Sequence, residues 1–175
     1  RFGDDTLNED AESYIDSTNH NIIPIDPAGR MTRKFDTLIV FDTDLHLDSE
    51  NTYNDYESVL VICLNNDERS ILLSEPVLTF KRALITNFLA RCQNASLCDP
   101  SHIMRIASTI EGVDVVYPFV GDNLDYLKRL QSKAGVALHI RKRANDLHCW
   151  HYAQKGFFNF KRHIPSIINT LGLQP

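Results

Sequence analysis

Leu38-Ile39-Val40-Phe41-Asp42-Thr43-Asp44 is an apolar run that stops on two carboxylates one residue apart. A run with no polar alternation suits a strand buried on both faces, and such strands belong to parallel sheets covered by helices on each side. The strand is read as Phe35–Phe41, with polar loop over Asp42–Tyr56. Ser58–Leu64 repeats the pattern as a second buried strand. Ser74 followed by Glu75-Pro76 opens a long helix, because serine is favoured as N-cap and proline fits a first helical turn. Its apolar positions Val77, Phe80, Leu84, Phe88 and Leu89 recur at helical spacing. Asp99-Pro100 starts a helix through Ile110, closed by Gly112, and Val113–Val120 reads as a third strand. Gly121-Asp122-Asn123 starts a helix through Lys133 that Gly135 closes, and Val136–Ile140 is a fourth strand. Phe157–Leu171 is a final helix with Phe157, Phe160, Ile164, Ile167, Ile168 and Leu171 on one face. This alternation predicts an α/β fold of three layers, α/β/α, around a central, mostly parallel sheet. Ligands of such sheets gather at the carboxyl ends of the strands.

The 175 residues (20.0 kDa) suit one domain spanning 1–175. Residues 1–20 read as a peripheral acidic segment with one short helix around Asn8–Asp16, followed by an extended run Asn21–Ile25 and a turn at Pro27-Ala28-Gly29. The chain opens on Arg1 and is read as an excerpt of a longer protein. With 43% hydrophobic and 23% charged residues it falls among ordinary globular domains and outside the disordered class. The longest apolar runs fall far short of the roughly 20 residues a bilayer crossing needs, so no membrane is expected as partner. Four cysteines are too few for a disulfide scaffold and predict reduced thiols and a cytoplasmic location. Pairing of Cys92 with Cys98, across the glycosylation sequon Asn94-Ala95-Ser96, is the alternative for a secreted chain.

The net charge of −5 hides a division. Residues 1–72 hold 16 acids and 5 bases, whereas residues 73–175 hold 7 acids and 13 bases. From Lys128 onward nine bases face a single acid, Asp146. Such a basic stripe is the footprint expected for a polyanion, unless its bases pair with the acidic half. Arg141, Lys142 and Arg143 follow the fourth strand, Lys155 comes after them, and Lys161 and Arg162 lie on the final helix. Arg30, Arg33 and Lys34 form a smaller cluster before the first strand. Sequence preference in RNA comes from aromatics stacking on unpaired bases, and Trp150, Tyr152 and Phe157 are interleaved with the cations.

Asp42-Thr43-Asp44 at a strand end resembles the first motif of the haloacid-dehalogenase phosphatases, which implies Asp42 as nucleophile, Asp44 as general acid and Mg²⁺ held between them. Val120-Gly121-Asp122-Asn123-Leu124-Asp125 resembles that family's metal-binding Gly-Asp motif. The chain departs from the family at His46, in the length of the second motif, and in having no lysine between Lys81 and Lys128. The carboxyl-terminal string Asp146-Leu147-His148-Cys149-Trp150-His151 through Gly156-Phe157 resembles instead the last block of SGNH/GDSL hydrolases. There a histidine is the base and an aspartate orients it; here His151 stands at the base and His148 at the aspartate. Asn66 resembles the oxyanion-hole asparagine of the same family, and Thr43 stands nearest the missing nucleophilic serine. With nucleophile and orienter both replaced, catalysis is not expected, and Thr43, Asn66, His148 and His151 are degenerate positions. His148-Cys149-x-His151 lacks the paired spacing of a zinc site, so neither metal nor cofactor is expected.

A hydrolase-like domain without its catalytic residues and with a basic end resembles the carboxyl-terminal domain of the Oskar family, the insect germ-plasm organisers. The strings that carry the likeness run from His139 to His151 and from Gly156 to Pro165. The resemblance implies an SGNH-like fold without esterase activity that binds messenger RNA, chiefly 3′ untranslated regions. It also implies other germ-plasm proteins as partners, in cytoplasmic germ granules at the posterior of the oocyte. Three functions are therefore weighed: an RNA-binding module, a divergent Mg²⁺ phosphatase using Asp42 and Asp44, and a protein–protein scaffold without RNA contact.

Overall fold

The computed structural model describes residues 33–45, 52–106, 109–153 and 156–172. The predicted helix at Asn8–Asp16, the run Asn21–Ile25, the turn at 27–29, Arg30 and Lys155 lie outside the described residues. Five parallel strands form one sheet: β1 (Thr37–Phe41), β2 (Ser58–Ile62), β3 (Ala95–Cys98), β4 (Gly112–Val116) and β5 (Ala137–Arg141), in the order β3-β2-β1-β4-β5. Leu38 pairs with Val59 on one side and with Asp114 on the other, so β1 is central.

Successive side chains of a strand point to opposite faces, and β1 buries both sets. Leu38 and Val40 pack with Val59 and Val61 against Ile85 and Phe88 of α1 (Glu75–Arg91). Ile39 and Phe41 pack with Val113 and Val115 against Ile103 of α2 (Pro100–Ile106) and against Tyr126, Leu127 and Leu130 of α3 (Asp122–Ala134). Helices thus cover both faces, and the three-layer α/β/α architecture is the one the alternating pattern predicts. Two further helices, α4 (Ala144–Tyr152) and α5 (Phe157–Thr170), follow β5 and pack on one another, with Pro165 inside α5.

Several expected boundaries are corrected. In α1 the buried residues are Leu78, Ile85 and Phe88, whereas Val77, Phe80 and Leu84 are exposed. The helix is apolar on two stripes one residue apart, and periodicity alone does not say which stripe faces the sheet. On the inward stripe the position between Leu78 and Ile85 is Lys81. Gly112 opens β4 instead of closing a helix; a Cβ there would lie 2.3 Å from the Phe35 ring. The helix before it ends at Ile106, and β4 stops at Val116, leaving Tyr117–Val120 as loop. β3 was not expected, because a short edge strand with Ser96 and Leu97 exposed carries no buried run. Residues 144–152, given no element by the sequence pattern, form α4. Phe157, expected on the packed face of the last helix, is exposed, and Ile167 is the residue buried there. Gly135 does close α3, in the left-handed conformation that favours glycine.

All four thiols are free. Burial pushes the Cys63, Cys92 and Cys98 thiols above their ordinary range. Less thiolate at neutral pH means slower attack. Iodoacetamide at neutral pH therefore labels these three cysteines more slowly in the native chain than in urea, with the native rate catching up only as pH rises; mass spectrometry of labelled peptides reads this. For the core, Ile85→Ala costs about 2–5 kcal/mol in urea denaturation, whereas Leu84→Ala, on the exposed stripe, changes stability by no more than about 0.5 kcal/mol.

Candidate functional site

The chain runs outward from β1 to β2 and β3, then returns to the opposite side of β1 for β4 and β5. Connections leaving β1 and β4 therefore diverge, and the crevice between their carboxyl ends is where this architecture binds ligands. Asp42, Thr43 and Asp44 end β1, Tyr117–Gly121 follow β4, Asn65–Ser70 follow β2, and Lys142 and Arg143 follow β5. A cavity of about 450 Å³ opens on the α1 side of β1, lined by Asp42, Thr43, Leu45, Leu84, Asn87 and Arg91.

The Asp42 side chain is 0% exposed and forms an ion pair with Lys81. Arg69 lies 3.9 Å from both Asp42 and Asp122, and donates to the Leu64 carbonyl at 3.1 Å. Asp122 accepts hydrogen bonds from the Ser70 hydroxyl (2.6 Å) and amide (2.9 Å), which hold its carboxyl below the usual range. Asp44, also buried, pairs with Arg143. The Asn123 amide donates to the Thr43 hydroxyl at 3.4 Å. The two phosphatase-like motifs are thus brought to one edge, yet Mg²⁺ does not suit them. Asp42 and Asp44 are already matched by Lys81 and Arg143, and no group of three or more metal-ligating side chains forms among the described residues.

Among the described residues, no hydrogen bond joins Thr43, Asn66, His148 and His151 to one another. Asn66 donates its side-chain amide to the Leu73 carbonyl (3.0 Å) and accepts from the Leu73 amide at its side-chain oxygen (2.9 Å), which fastens the loop before α1. His148 and His151 both lie on α4, edge-on to Tyr152 at 5.5 and 5.1 Å between ring centroids, and Tyr152 stacks on His163 of α5 at 4.4 Å.

Set against protein-family models, curated proteins and solved structures, the chain finds no match. Its chemistry must be read from its own side chains.

The basic residues divide into two groups. Arg141 is 4% exposed and hydrogen-bonds the Tyr56 hydroxyl, which donates at 2.6 Å to the buried Asp114. Asp114 also accepts from the Lys34 amide at 3.0 Å and contacts His139 at 2.9 Å. Burial beside this carboxylate pushes the Tyr56 phenol well above its ordinary range. Lys142 is 5% exposed and lies over the Trp150 and Tyr117 rings at 5.6 and 6.0 Å. The expectation that Arg141 and Lys142 line a surface phosphate path is therefore corrected. Arg141, the last residue of β5, turns inward to the Tyr56 hydroxyl beside Asp114, and Lys142 turns inward over the two rings. Arg129 likewise pairs with Glu68 at 2.9 Å, and Arg33 pairs with Asp36. Lys161, Arg162 and Lys133 stay exposed, and among the described residues none of them makes an ion pair. Lys34 is exposed beside the Phe35 ring.

Sequence reasoning missed three residues of this edge. Lys81 had a visible signal, a cation interrupting an apolar helical stripe. Tyr117 and Phe119 had none, because they were read as the end of a strand. They form edge-to-face contacts with one another at 5.7 Å, and with Trp150 at 5.7 and 6.0 Å respectively.

Removing one partner of a buried ion pair leaves the other charge uncompensated, which costs about 3–5 kcal/mol. Lys81→Met is expected near about 3 kcal/mol, because Arg69 remains beside Asp42. Adding Asp42→Asn recovers part of that loss, and a double-mutant cycle by urea denaturation measures the coupling.

Proposed function

We propose that this chain is a non-catalytic α/β domain that binds messenger RNA, chiefly in 3′ untranslated regions. Its fold class and the likeness of residues 139–165 to the Oskar family support this reading. Its place would be cytoplasmic germ granules, with other germ-plasm proteins as partners. No helix among the described residues is long and apolar enough to cross a membrane.

The observation that carries the proposal is the pair Lys161 and Arg162 on α5. Both are exposed and free of ion pairs among the described residues, where most other bases of the carboxyl-terminal half are held by acids or buried. Uncompensated exposed cations on a helix give affinity for phosphate, and arginine's planar fork suits it best. Asn66 locked to Leu73 and the two histidines packed around Tyr152 support the absence of hydrolysis. The charge-matched state of Asp42 and Asp44 weighs against a Mg²⁺ phosphatase.

Binding of single-stranded RNA is expected to fall steeply as salt rises, since each phosphate contact releases counterions with a slope of about −0.7 in log K against log salt. Lys161→Glu/Arg162→Glu removes two such contacts, so its slope is shallower by about 1.4. Fluorescence anisotropy across a salt titration checks both values. An unchanged slope in the variant would remove α5 from the interface, and wild-type chain that leaves RNA unbound at low salt would sink the proposal in favour of a protein scaffold.

A further inference from the structure

The loop between β4 and α3 lies at the switch point, and its backbone and side chains are both unusual. Among the described residues, Phe119 is the one non-glycine residue in the left-handed region, with φ of +63°. A bulky residue there costs free energy, and such outliers cluster at functional sites. The conformation turns the chain so that Phe119 stays 41% and Val120 85% exposed, where burial would be the ordinary fate of both.

The Phe119 ring meets the Tyr117 and Trp150 rings edge-to-face, and Lys142 lies over the rings of those two residues. Arg143, after β5, pairs with Asp44 at the same edge of the sheet. It leaves the end of β5 and reaches Asp44 at the end of β1, and β4 lies between those two strands. With the Arg143 side chain 27% exposed, that pair ties the ends of β5 and β1 together across β4. An exposed aromatic ring held by ring neighbours at the carboxyl edge of the sheet is a surface on which one unpaired base can stack.

We propose that Phe119 is a stacking platform for an unpaired base of single-stranded RNA at the β1/β4 switch point. This rests on the RNA-binding reading and adds to it a base contact separate from the phosphate contacts of α5.

The test uses the full chain with two probes, a labelled oligouridylate and inorganic polyphosphate, which carries the charge without bases. Trp150, the only tryptophan, stands 6.0 Å from Phe119 and reports occupancy through its fluorescence. Stacking is worth about 1–3 kcal/mol per base by alanine substitution, so Phe119→Ala is expected to weaken oligouridylate binding about 5- to 150-fold. Polyphosphate affinity and the salt slope stay at wild-type values, and quenching of Trp150 by oligouridylate is lost. Phe119→Gly, which accepts the left-handed backbone without strain, folds and behaves like the alanine variant, while Phe119→Trp keeps oligouridylate affinity. Equal oligouridylate affinity in wild type and both truncations overturns the platform and leaves the RNA reading standing. Equal weakening toward both probes also overturns it, because the loop would then act on charge alone. Wild-type chain that binds polyphosphate but not oligouridylate, or neither probe, overturns the RNA reading and the platform together.

Discussion

Asp42 carries a charge with no exposed surface, and the carboxyl edge of the sheet is organised around neutralising it. A carboxylate out of water needs cations and hydrogen bonds close by. Lys81 comes from the inward stripe of α1 and Arg69 from the loop after β2, and Arg69 also reaches Asp122 at the start of α3. Four separate pieces of chain are therefore tied to one point by charge. Asp44 repeats the solution with Arg143, which draws the end of β5 toward β1. The acidic and basic halves of the sequence are complementary because they meet here.

That complementarity explains how the composition misleads. Counting charges along the sequence shows a basic end, yet Arg129, Arg141, Arg143 and His139 all have partners supplied by earlier residues: Glu68, Tyr56, Asp44 and Asp114. What remains for a polyanion is narrower than the stripe, chiefly Lys161 and Arg162 with Lys133 and Lys34. Charge in a sequence is a sum, and only the fold says which part of it faces water.

The layered α/β/α fold was legible because β1 and β2 are covered on both faces, and such coverage leaves unbroken apolar runs. β3 escaped notice for the opposite reason, since an edge strand with exposed Ser96 and Leu97 needs no such run. α4 escaped because His148, Cys149, His151 and Asn145 are indifferent helix formers that settle by packing. Asp42 and Asp44 were visible as a motif, and their partners were not. Ion pairs such as Arg143 with Asp44 join residues 99 apart, and no local pattern records that distance. Phe119 was hidden by its own hydrophobicity, which reads as strand until the backbone turns.

Pro165 sits in the middle of α5 and has no amide hydrogen, so the Lys161 carbonyl one turn earlier lacks its usual donor. The helix runs on through Pro165 one hydrogen bond short. Beyond it Ile167 anchors the helix in the core, while before it Phe157, Phe158, Lys161 and Arg162 all face water. The half that displays its side chains is joined to the half that holds it at the one turn where the helix lacks a backbone rung.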